Sequence, residues 1–295
     1  MALDLHKLQH LVAVADEGGF TRAAASLHMS QQALSTSIRV LERQVGVPLL
    51  ERGRSAVHPL PAGEALIEDA RALLGAAEAA LDRARRTGRG ERRPLHIGHT
   101  PAVTGDEVGD LLAPARIADP GLVAVVQQIY PADLVARLRD GGMDLGLCRN
   151  IPPGSGLDRT LLTRHRLRVA VPSDHPLAGR DEIGLAELRD TVLVVWGAPR
   201  SSGYTDLLLE HCRSAGFAPR IERSPVQGTP PITAVVRSGH AAFVTRPAGT
   251  AVDGRVMILD VVPPIHAPVY ALRAGILSNE ARDALIEVLT DPRGG

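Results

Sequence analysis

The sequence has few cysteines, no long apolar run and no excess of either charge, and each lack excludes a class of protein. Its two cysteines, Cys148 and Cys212, lie far apart without C-x-x-C spacing, which excludes a disulfide framework and a zinc ribbon. No apolar run approaches the ~20 residues that span a bilayer, so we expect no membrane partner. The N-terminal residues do not have the pattern of a secretory signal. We therefore expect a soluble, cytoplasmic protein.

The net charge is formally zero, because 33 basic residues balance 33 acidic residues. No global field therefore attracts the chain to a polyanion. Lys7 is the only lysine, and alanine, glycine and arginine are abundant. This pattern indicates a biased genome composition, so the number of arginines is no evidence for nucleic-acid binding. Such evidence must come from where the side chains are placed.

The first 60 residues or so have the pattern of three short helices followed by a β-wing. Glycines at 18 and 19 end the first helix, Thr21 is available as the N-cap of the second, and Ser30 can cap the third. The residues of the third helix that we expect to face inward are Leu34, Ile38, Leu41 and Val45. Residues 47–58 alternate weakly and are rich in turn residues, as in a wing.

The outer face of the third helix carries amide, hydroxyl and guanidinium groups. Its members are Gln31, Gln32, Ser35, Thr36 and Arg39. Such groups hydrogen-bond base edges and phosphates in a major groove. The small side chains of Ala23 and Ala24 would let the second helix cross close to its neighbours. An ordinary amphipathic helix has a solvated polar face of the same kind, so this helix alone does not decide the function.

Residues 3–70 resemble the winged helix-turn-helix of the LysR-type transcriptional regulators. The matching stretches, in order and without gaps, are L-x-x-L at 5–8, F-T-R-A-A-x-x-L at 20–27, S-Q-x-A-L-S at 30–35, I-R-x-L-E at 38–42, G-V-P-L-x-E-R at 46–52 and A-G-E-A-L at 62–66. The resemblance implies double-stranded operator DNA as a partner, with RNA polymerase as a further candidate. The residues that it implies at the DNA are Ser30, Gln31, Ser35 and Arg39 on the third helix, Thr21 and Arg22 at phosphates, and Arg52 and Arg54 on the wing.

The sequence departs from the family at Gln32 and Thr36, where the family usually has proline and arginine. We keep both among the expected DNA-facing residues. The wing is also thin in cations, since Ser55 and Ala56 stand where basic residues are common. Residues 1–58 contain six basic and five acidic side chains, so we expect modest and strongly salt-dependent DNA affinity.

Residues 62–86 have the composition of a long helix with a narrow apolar stripe. The stripe consists of Leu66, Ala70, Leu73, Ala77, Leu81 and Ala84. A stripe this narrow suits a seam between two helices, and it predicts a homodimer; a homotetramer is the alternative. The glycine- and arginine-rich residues 87–94 predict a hinge.

Strands and helices alternate after residue 94, which predicts a mostly parallel sheet. Residues 94–291 resemble the effector-binding region of the same family, with two Rossmann-like α/β subdomains as in periplasmic solute-binding proteins. The expected fold class is thus α/β with an all-α/winged N-terminal domain. The expected domains are 1–58 (winged helix-turn-helix), 59–93 (linker helix and hinge) and 94–295 (effector binding, with subdomain I at 94–163 and 268–295 and subdomain II at 164–267).

The resemblance implies a small-molecule effector, anionic or polar, in a cleft between the two subdomains. Thr100, Ser201 and Ser202 precede predicted helices, whose free amides and dipole attract anions. Plain N-caps are the alternative for Thr100 and Ser202. Four further residues follow strands that should end at the same cleft: Arg149, Trp196, Gln227 and Thr245. His240 is either a ligand contact or a half-exposed surface histidine.

Two other functions stay open at this point. An α/β enzyme is disfavoured because the sequence has no G-x-S-x-G, H-E-x-x-H or G-x-x-x-x-G-K-[ST] motif, and we assign no catalytic residue and no cofactor. His96 and His99 would point to opposite faces of a strand, so we assign no metal site. A solute-binding module whose DNA-binding face has degraded is the other alternative. A redox role for Cys148 would need Cys212 close by.

Overall fold

The computed structural model describes residues 3–52, 57–89, 94–150, 157–224, 231–236, 238–275 and 279–290. The chain forms two compact units, the first made chiefly of residues 1–94 and the second chiefly of the residues that follow. Among the described residues, no helix is long and apolar enough to cross a membrane.

The first unit contains three short helices, a two-stranded wing and one long helix, in the predicted order. These elements are α1 (Leu5–Glu17), α2 (Phe20–Ser26), α3 (Gln31–Val45), β1 (Leu50–Arg52), β2 (Val57–Pro59) and α4 (Pro61–Gly88). The wing strands pair antiparallel. Local capping sets the helix ends: the Ser30 hydroxyl accepts from the amide of Ala33, and Gly46 ends α3 at a φ of 88°, which favours glycine.

The prediction of Thr21 as the N-cap of α2 was wrong. The N-cap is Gly19, which provides no side-chain hydrogen bond, and Thr21 lies inside the helix. The reason is that Phe20, only 9% exposed, already belongs to α2 and packs into the core of the unit. The burial of this ring, and not a hydroxyl cap, fixes where the helix begins.

The core of the first unit is formed by the inner faces of α1, α2 and α3. Ala23, Leu34, Ile38 and Leu41 have no exposed surface, and the absence of a bulky side chain at Ala23 lets α2 lie close to its neighbours. The prediction that Val45 faces inward was wrong, since its side chain is 42% exposed. Val45 is the last residue of α3 and lies beyond the packed part of the helix.

The apolar stripe on α4 is not one continuous seam. Ala70 is fully buried, and Leu66 and Leu73 pack against the same core where α4 contacts α1. In contrast, Leu81 is 58% exposed, and Ala84 is exposed as well. Only the second half of the stripe is therefore available to another molecule.

The turn before β1 is held between α3 and the start of α4. The Glu42 carboxylate on α3 accepts hydrogen bonds from the amides of Leu49, at 3.0 Å, and Leu50, at 3.4 Å. The carbonyl of Leu49 accepts from the amide of Leu60 at 2.9 Å. Gly63 lies so close that a Cβ atom there would be 2.0 Å from the Leu49 oxygen. The helix α4 can approach only because this position has no side chain.

After Pro94 the chain alternates between strands and helices. The elements are β3 (Leu95–His99), α5 (Gly105–Ala118), β4 (Ala124–Gln128), α6 (Pro131–Arg139), β5 (Leu145–Cys148), β6 (Asp158–Pro172), β7 (Glu182–Gly184), a 3-10 helix (Leu185–Leu188), β8 (Val192–Val195), α7 (Gly203–Ser214), β9 (Arg220–Arg223), α8 (Pro231–Ala234), β10 (Ala242–Val244), β11 (Gly249–Ala251), β12 (Val256–Val262), β13 (Ile265–Arg273) and α9 (Glu280–Thr290).

The main sheet is mixed and most of its described strand pairs are antiparallel, so the expectation of a mostly parallel sheet was wrong. Strand order is β11-β12-β6-β13-β5-β3-β4, with β10 beside β6 and β7 beside β12. The pairs of β3 with β4 and β5 are parallel, and so is the separate pair of β8 and β9. The long strand β6 instead runs antiparallel to β13, β12 and β10.

The described part of the second unit contains several apolar cores. One core surrounds β3 and β5 and includes Leu95, Leu145 and Val269. Another surrounds β8 and α7 and includes Leu193 and Leu208. The long strands β6 and β13 contribute residues to both cores. The parallel strands β3, β4 and β5, and the parallel pair β8 and β9, are followed by polar side chains at their carboxyl ends.

Candidate nucleic-acid interface and effector cavity

The outer face of α3 is free of core contacts. Gln31, Gln32, Thr36 and Arg39 are exposed, and Ser35 is half-buried. The hydroxyl of Thr36 donates to the carbonyl of Gln32 at 2.9 Å, which leaves its oxygen available as an acceptor. The apolar side of the helix is buried, so the polar side chains are presented outward on an anchored helix.

The other predicted DNA contacts differ in exposure and in whether their side chains already make hydrogen bonds within the protein. Thr21 and Arg22 are exposed in the first turn of α2. The Nε of Arg22 donates to the carbonyl of Glu17 at 2.7 Å, so this guanidinium also holds the end of α1. Arg54 and the side chain of Arg52 lie outside the described residues. Arg43, which was not among the predicted contacts, is an exposed cation four residues beyond Arg39, and helical spacing puts the two on one face.

A cavity of about 640 Å³ lies at the carboxyl ends of β3, β4, β5, β8 and β9. Five of the predicted effector residues line it: Thr100, Arg149, Trp196, Ser201 and Ser202. We call it the aromatic cavity, after Tyr130, Trp196 and Tyr204 in its wall. Thr245 lines a neighbouring cavity of about 760 Å³, which we call the charged cavity. The two cavities share Arg149, Trp196 and Tyr204, together with Pro101 and Ala102. Gln227 lies outside the described residues.

The hydroxyl groups around the aromatic cavity have different local roles. The Ser202 hydroxyl caps α7 by accepting from the amide of Thr205 at 3.3 Å, and the Ser201 hydroxyl donates to the carbonyl of Ala198 at 2.9 Å. The idea that Thr100 caps the following helix was wrong. The cap of α5 is Thr104, because a turn separates β3 from the helix.

Histidine 99 holds that turn in place. Its ring is buried, and its Nδ1 lies 2.8 Å from the carbonyl oxygen of Val103, so the ring donates across the turn that carries Thr100. His240 is half-buried with its Nδ1 3.7 Å from the Glu222 carboxylate. Among the described residues, no cluster of histidine, cysteine and acidic side chains is arranged to hold a metal ion.

A buried ion pair of Glu107 and Arg149 lies in the wall of the charged cavity. Arg149 is 1% exposed and Glu107 is 9% exposed, and the two side chains are in direct contact. The Nε of Arg149 donates to the carbonyl of Ala102 at 2.7 Å. Its guanidinium carbon lies 5.6 Å from the ring centre of Tyr204. Arg149 thus lines both cavities, but its charge is already neutralised by a carboxylate.

Several donors converge on the Glu107 carboxylate. The Nδ1 of His165 lies 2.8 Å from it, and the amide of Thr104 donates at 2.8 Å. Burial raises the pKa of Glu107, but the hydrogen bond from His165, the charge of Arg149 and the hydrogen bonds from Thr245 and Thr104 outweigh it, and the pKa falls to about 2. Glu107 is therefore ionised near neutral pH.

The sequence did not point to Glu107 or His165 as cavity residues. Of the three rings of the aromatic cavity it pointed to Trp196, but not to Tyr130 or Tyr204. One local signal was readable: Thr104 and Glu107 form the T-x-x-E pattern of a capping box. Nothing in the sequence shows that the same carboxylate also contacts Arg149 and His165. Those partners are 42 and 58 positions away along the chain, and only the fold brings them together.

Comparison with known proteins bears on both sites. Residues 5–64 match the family model described as "Bacterial regulatory helix-turn-helix protein, lysR family", and residues 88–291 match that of the "LysR substrate binding domain". The chain belongs to the LysR family of transcriptional regulators. A similar LysR-family relative is the Hca operon transcriptional activator HcaR of Escherichia coli, which is 38% identical over 201 residues, or 68% of this chain and 67% of HcaR.

Solved structures of LysR-family proteins have the same fold. A full-length OxyR variant from Pseudomonas aeruginosa superposes with a TM-score of 0.63 at 22% identity, covering 99% of this chain and 94% of that one. Full-length CbnR complexed with its target DNA superposes with a TM-score of 0.57 at 23% identity, covering 99% of each chain. The predicted fold class, a helix-turn-helix domain followed by an α/β domain, is confirmed.

The two cysteines of this LysR-family chain are expected to be unreactive. Cys148 and Cys212 have no exposed surface, and burial raises their pKa to about 12 and about 11, so the nucleophilic thiolate is scarce near neutral pH. A chromogenic disulfide reagent should label neither thiol in the native protein and both after denaturation. Rapid labelling of the native protein would contradict this and reopen a redox role.

Proposed function

We propose that the chain binds operator DNA through α3 and changes that binding when a small polar or anionic molecule occupies the aromatic cavity. One observation carries the proposal. The sequence predicts a set of effector contacts from their positions after strands or before helices. Five of them line a single cavity, as expected for ligand sites at the carboxyl ends of parallel strands. Thr245, in the adjoining cavity, and Gln227 stay in the proposal as further effector contacts.

The proposed response is a shift between two arrangements of the effector-binding part. A ligand that contacts the ends of β3 and β5 on one side and the start of α7 on the other would stabilise the arrangement that brings them closest. Such a shift would alter the geometry of the oligomer and hence the spacing or bend of the bound operator. The boundaries at 58, 93, 163 and 267 remain our proposal for the domains and subdomains.

DNA contact by α3 is supported by its exposed polar face and by the helix-turn-helix match. Replacing Arg39 or Gln31 by alanine should weaken binding to the gene's own upstream intergenic DNA by ~1–3 kcal/mol each, because each side chain can reach a base edge. Fluorescence anisotropy in moderate salt measures this. Ser30, Gln32, Ser35, Thr36, Thr21, Arg22, Arg52 and Arg54 are proposed contacts with smaller individual effects.

A matched control removes the same charge elsewhere. Arg116 is exposed on α5 in the other unit, and its replacement by alanine should leave DNA affinity unchanged. If wild type shows no sequence preference, or if Arg39→Ala behaves like Arg116→Ala, then α3 does not read DNA. The solute-binding module with a degraded DNA face would then be the better function.

We infer a homodimer, with a homotetramer as the alternative, from the exposed second half of the α4 stripe. Replacing Leu81 by glutamate should weaken self-association at least about tenfold, since one buried leucine contributes ~1.5–3 kcal/mol. Sedimentation at micromolar concentration measures the change. Ala80→Glu adds the same charge one position away, at an exposed site off the stripe, and should have little effect. A monomeric wild type would contradict the inference.

Three further parts of the proposal follow from this activity. A regulator must reach the chromosome, so we place the protein in the cytoplasm and assign it no membrane partner. RNA polymerase is a further proposed partner at the promoter. We propose no enzymatic activity and no cofactor, because the sequence has no G-x-S-x-G, H-E-x-x-H or G-x-x-x-x-G-K-[ST] motif.

A further inference from the structure

Aromatic side chains are scarce in this protein, yet three of the seven line one cavity. The chain has three phenylalanines, three tyrosines and one tryptophan in 295 residues. Tyr130, Trp196 and Tyr204 all line the aromatic cavity. They come from three separate places in the fold, after β4, after β8 and in the first turn of α7. Such a concentration of a rare residue class at one surface requires a reason specific to that surface.

Packing of the apolar core does not provide that reason. Tyr130 is 47% exposed, and Trp196 and Tyr204 are half-buried, whereas the core around them is mostly aliphatic. These large planar side chains line a cavity of about 640 Å³, which is in the size range of a small-molecule site. Ring-to-ring contacts are favourable beyond the area that they bury, so this wall favours a ligand that itself contains a planar ring.

The charges around the same cavity favour an anionic group on that ligand. Its described lining residues include Arg149 and Arg223 and no acidic side chain. Glu107 neutralises Arg149, which leaves Arg223, exposed at the end of β9, as the cation. The remaining polar groups are hydroxyls, the Asn150 amide, which donates to the carbonyl of Gly203, and the first turn of α7, whose dipole attracts negative charge. The hydroxyls are those of Thr100, Ser201, Ser202 and Ser224.

The charged cavity provides a contrast. It shares Trp196 and Tyr204 with the aromatic cavity and adds Phe243, but besides arginines it is lined by Asp106, Glu107 and Asp110. The difference between the two cavities is therefore the sign of their charges and not the presence of rings. An anion entering it would meet carboxylates as well as guanidinium groups. Of the two adjoining cavities, only the aromatic cavity combines several rings with a described lining that has no acidic group.

We propose that the effector is an aromatic monocarboxylate, with its ring against Tyr130, Trp196 and Tyr204 and its carboxylate near the start of α7 and Arg223. This rests on the proposed function, in which the aromatic cavity is the effector site. The ring explains why the aromatic residues gather there. The single carboxylate matches a site whose described lining has one cation not paired with a described carboxylate, Arg223, and one helix N-terminus.

Four small probes separate ring from charge in the full-length protein. Phenylacetate has both, cyclohexylacetate keeps the charge without the planar ring, phenylacetamide keeps the ring without the charge, and succinate has charge without a ring. Calorimetry gives the affinities, and the fluorescence of Trp196, the only tryptophan, reports binding at the cavity. Phenylacetate should bind about fivefold or more tighter than cyclohexylacetate and about tenfold or more tighter than phenylacetamide.

Variants with matched controls locate the site. Tyr130→Leu should weaken phenylacetate binding at least about threefold, whereas Tyr270→Leu, which removes a ring of the same unit outside the cavity, should not. Arg223→Gln should weaken it about tenfold. Arg220→Gln removes the same charge from the other end of β9, outside the cavity lining, and should leave the affinity unchanged.

The outcomes distinguish the inference from the function on which it rests. If cyclohexylacetate or phenylacetamide binds as tightly as phenylacetate, or if no ring-bearing probe binds, the inference is overturned. If succinate alone binds and changes Trp196 fluorescence, the cavity remains the effector site and only the aromatic class is wrong. If phenylacetate binds but neither Tyr130→Leu nor Arg223→Gln weakens it, the site is elsewhere and the proposed cavity fails as well.

Discussion

Replacement of Glu107 by alanine should lower the free energy of unfolding of the second unit by ~3–5 kcal/mol, the usual cost of leaving a buried charge without its partner. Arg149 is 1% exposed and would lose its only carboxylate among the described contacts. The carbonyls of Ala102 and Ala267, which also accept from its guanidinium, carry no net charge to replace it. His165 and Thr104 would also lose an acceptor.

Urea unfolding followed by Trp196 fluorescence measures this effect, because the only tryptophan lies in the affected unit. Asp110→Asn is the matched control. Asp110 lies three residues further along α5 and lines the same cavity, but it is exposed, so its replacement should change stability by less than ~0.5 kcal/mol. Equal effects of the two substitutions would show that the ion pair contributes no more than an ordinary surface charge.

The pH dependence provides a second check on Glu107. Its pKa of about 2 in the folded protein lies below the ordinary value of 4.5. A carboxyl with a depressed folded pKa stabilises the protein above the unfolded pKa, and this stabilisation, on the order of 3 kcal/mol, is lost as pH falls from about 5 towards 2. The stability difference between wild type and Glu107→Gln should therefore shrink over that range. A difference that stays constant would contradict the assignment.

Replacement of Gly63 by alanine should destabilise the first unit by ~2–3 kcal/mol or more, as overpacking does when backbone atoms have to move. The new Cβ would lie 2.0 Å from the carbonyl oxygen of Leu49 and 2.9 Å from its carbonyl carbon. A side chain can rotate away from such a clash, but a backbone carbonyl cannot. That carbonyl accepts a hydrogen bond from the amide of Leu60, so α4 or the wing must shift.

Thermal unfolding followed by circular dichroism measures the cost, and the DNA affinity of the variant should fall as well. Gly88→Ala is the control on the same helix, because nothing lies within 4 Å of a Cβ there. It should be neutral or slightly stabilising, since alanine favours helix more than glycine does. Similar losses in the two variants would indicate a general intolerance of α4 to substitution and not a clash at Leu49.

Several features set by neighbouring residues were predictable from the sequence, although the caps expected at Thr21 and Thr100 were not where the helices begin. Ser30 and Gly46 mark the ends of α3 because a hydroxyl cap and a left-handed glycine are local devices. Thr100 and Trp196 were placed at the cavity because parallel strands carry their carboxyl ends to one edge. In these cases the position of a residue relative to the end of its own helix or strand is enough to predict where it lies.

Features set by distant partners were not predictable. Arg149 was expected to face a ligand, but Glu107 neutralises it, and only the packing of α5 against the end of β5 brings the two together. The same holds for Leu66 and Ala70, which belong to a regular apolar stripe. The period of the stripe predicts that they are buried. It does not distinguish burial against α1 in the same chain from burial against a second subunit.

The anchoring of Leu49 has a mechanical consequence. Glu42 on α3 holds the amide of Leu49, while the Leu49 carbonyl holds Leu60 and touches Gly63 at the start of α4. These contacts join α3, which we propose reads DNA, to the first strand of the wing and to the start of α4. If bound DNA were to tilt α3, α4 would turn with it. At ~1.5 Å per residue its 28 residues span ~42 Å, so a rotation of about five degrees would move its far end by about 4 Å.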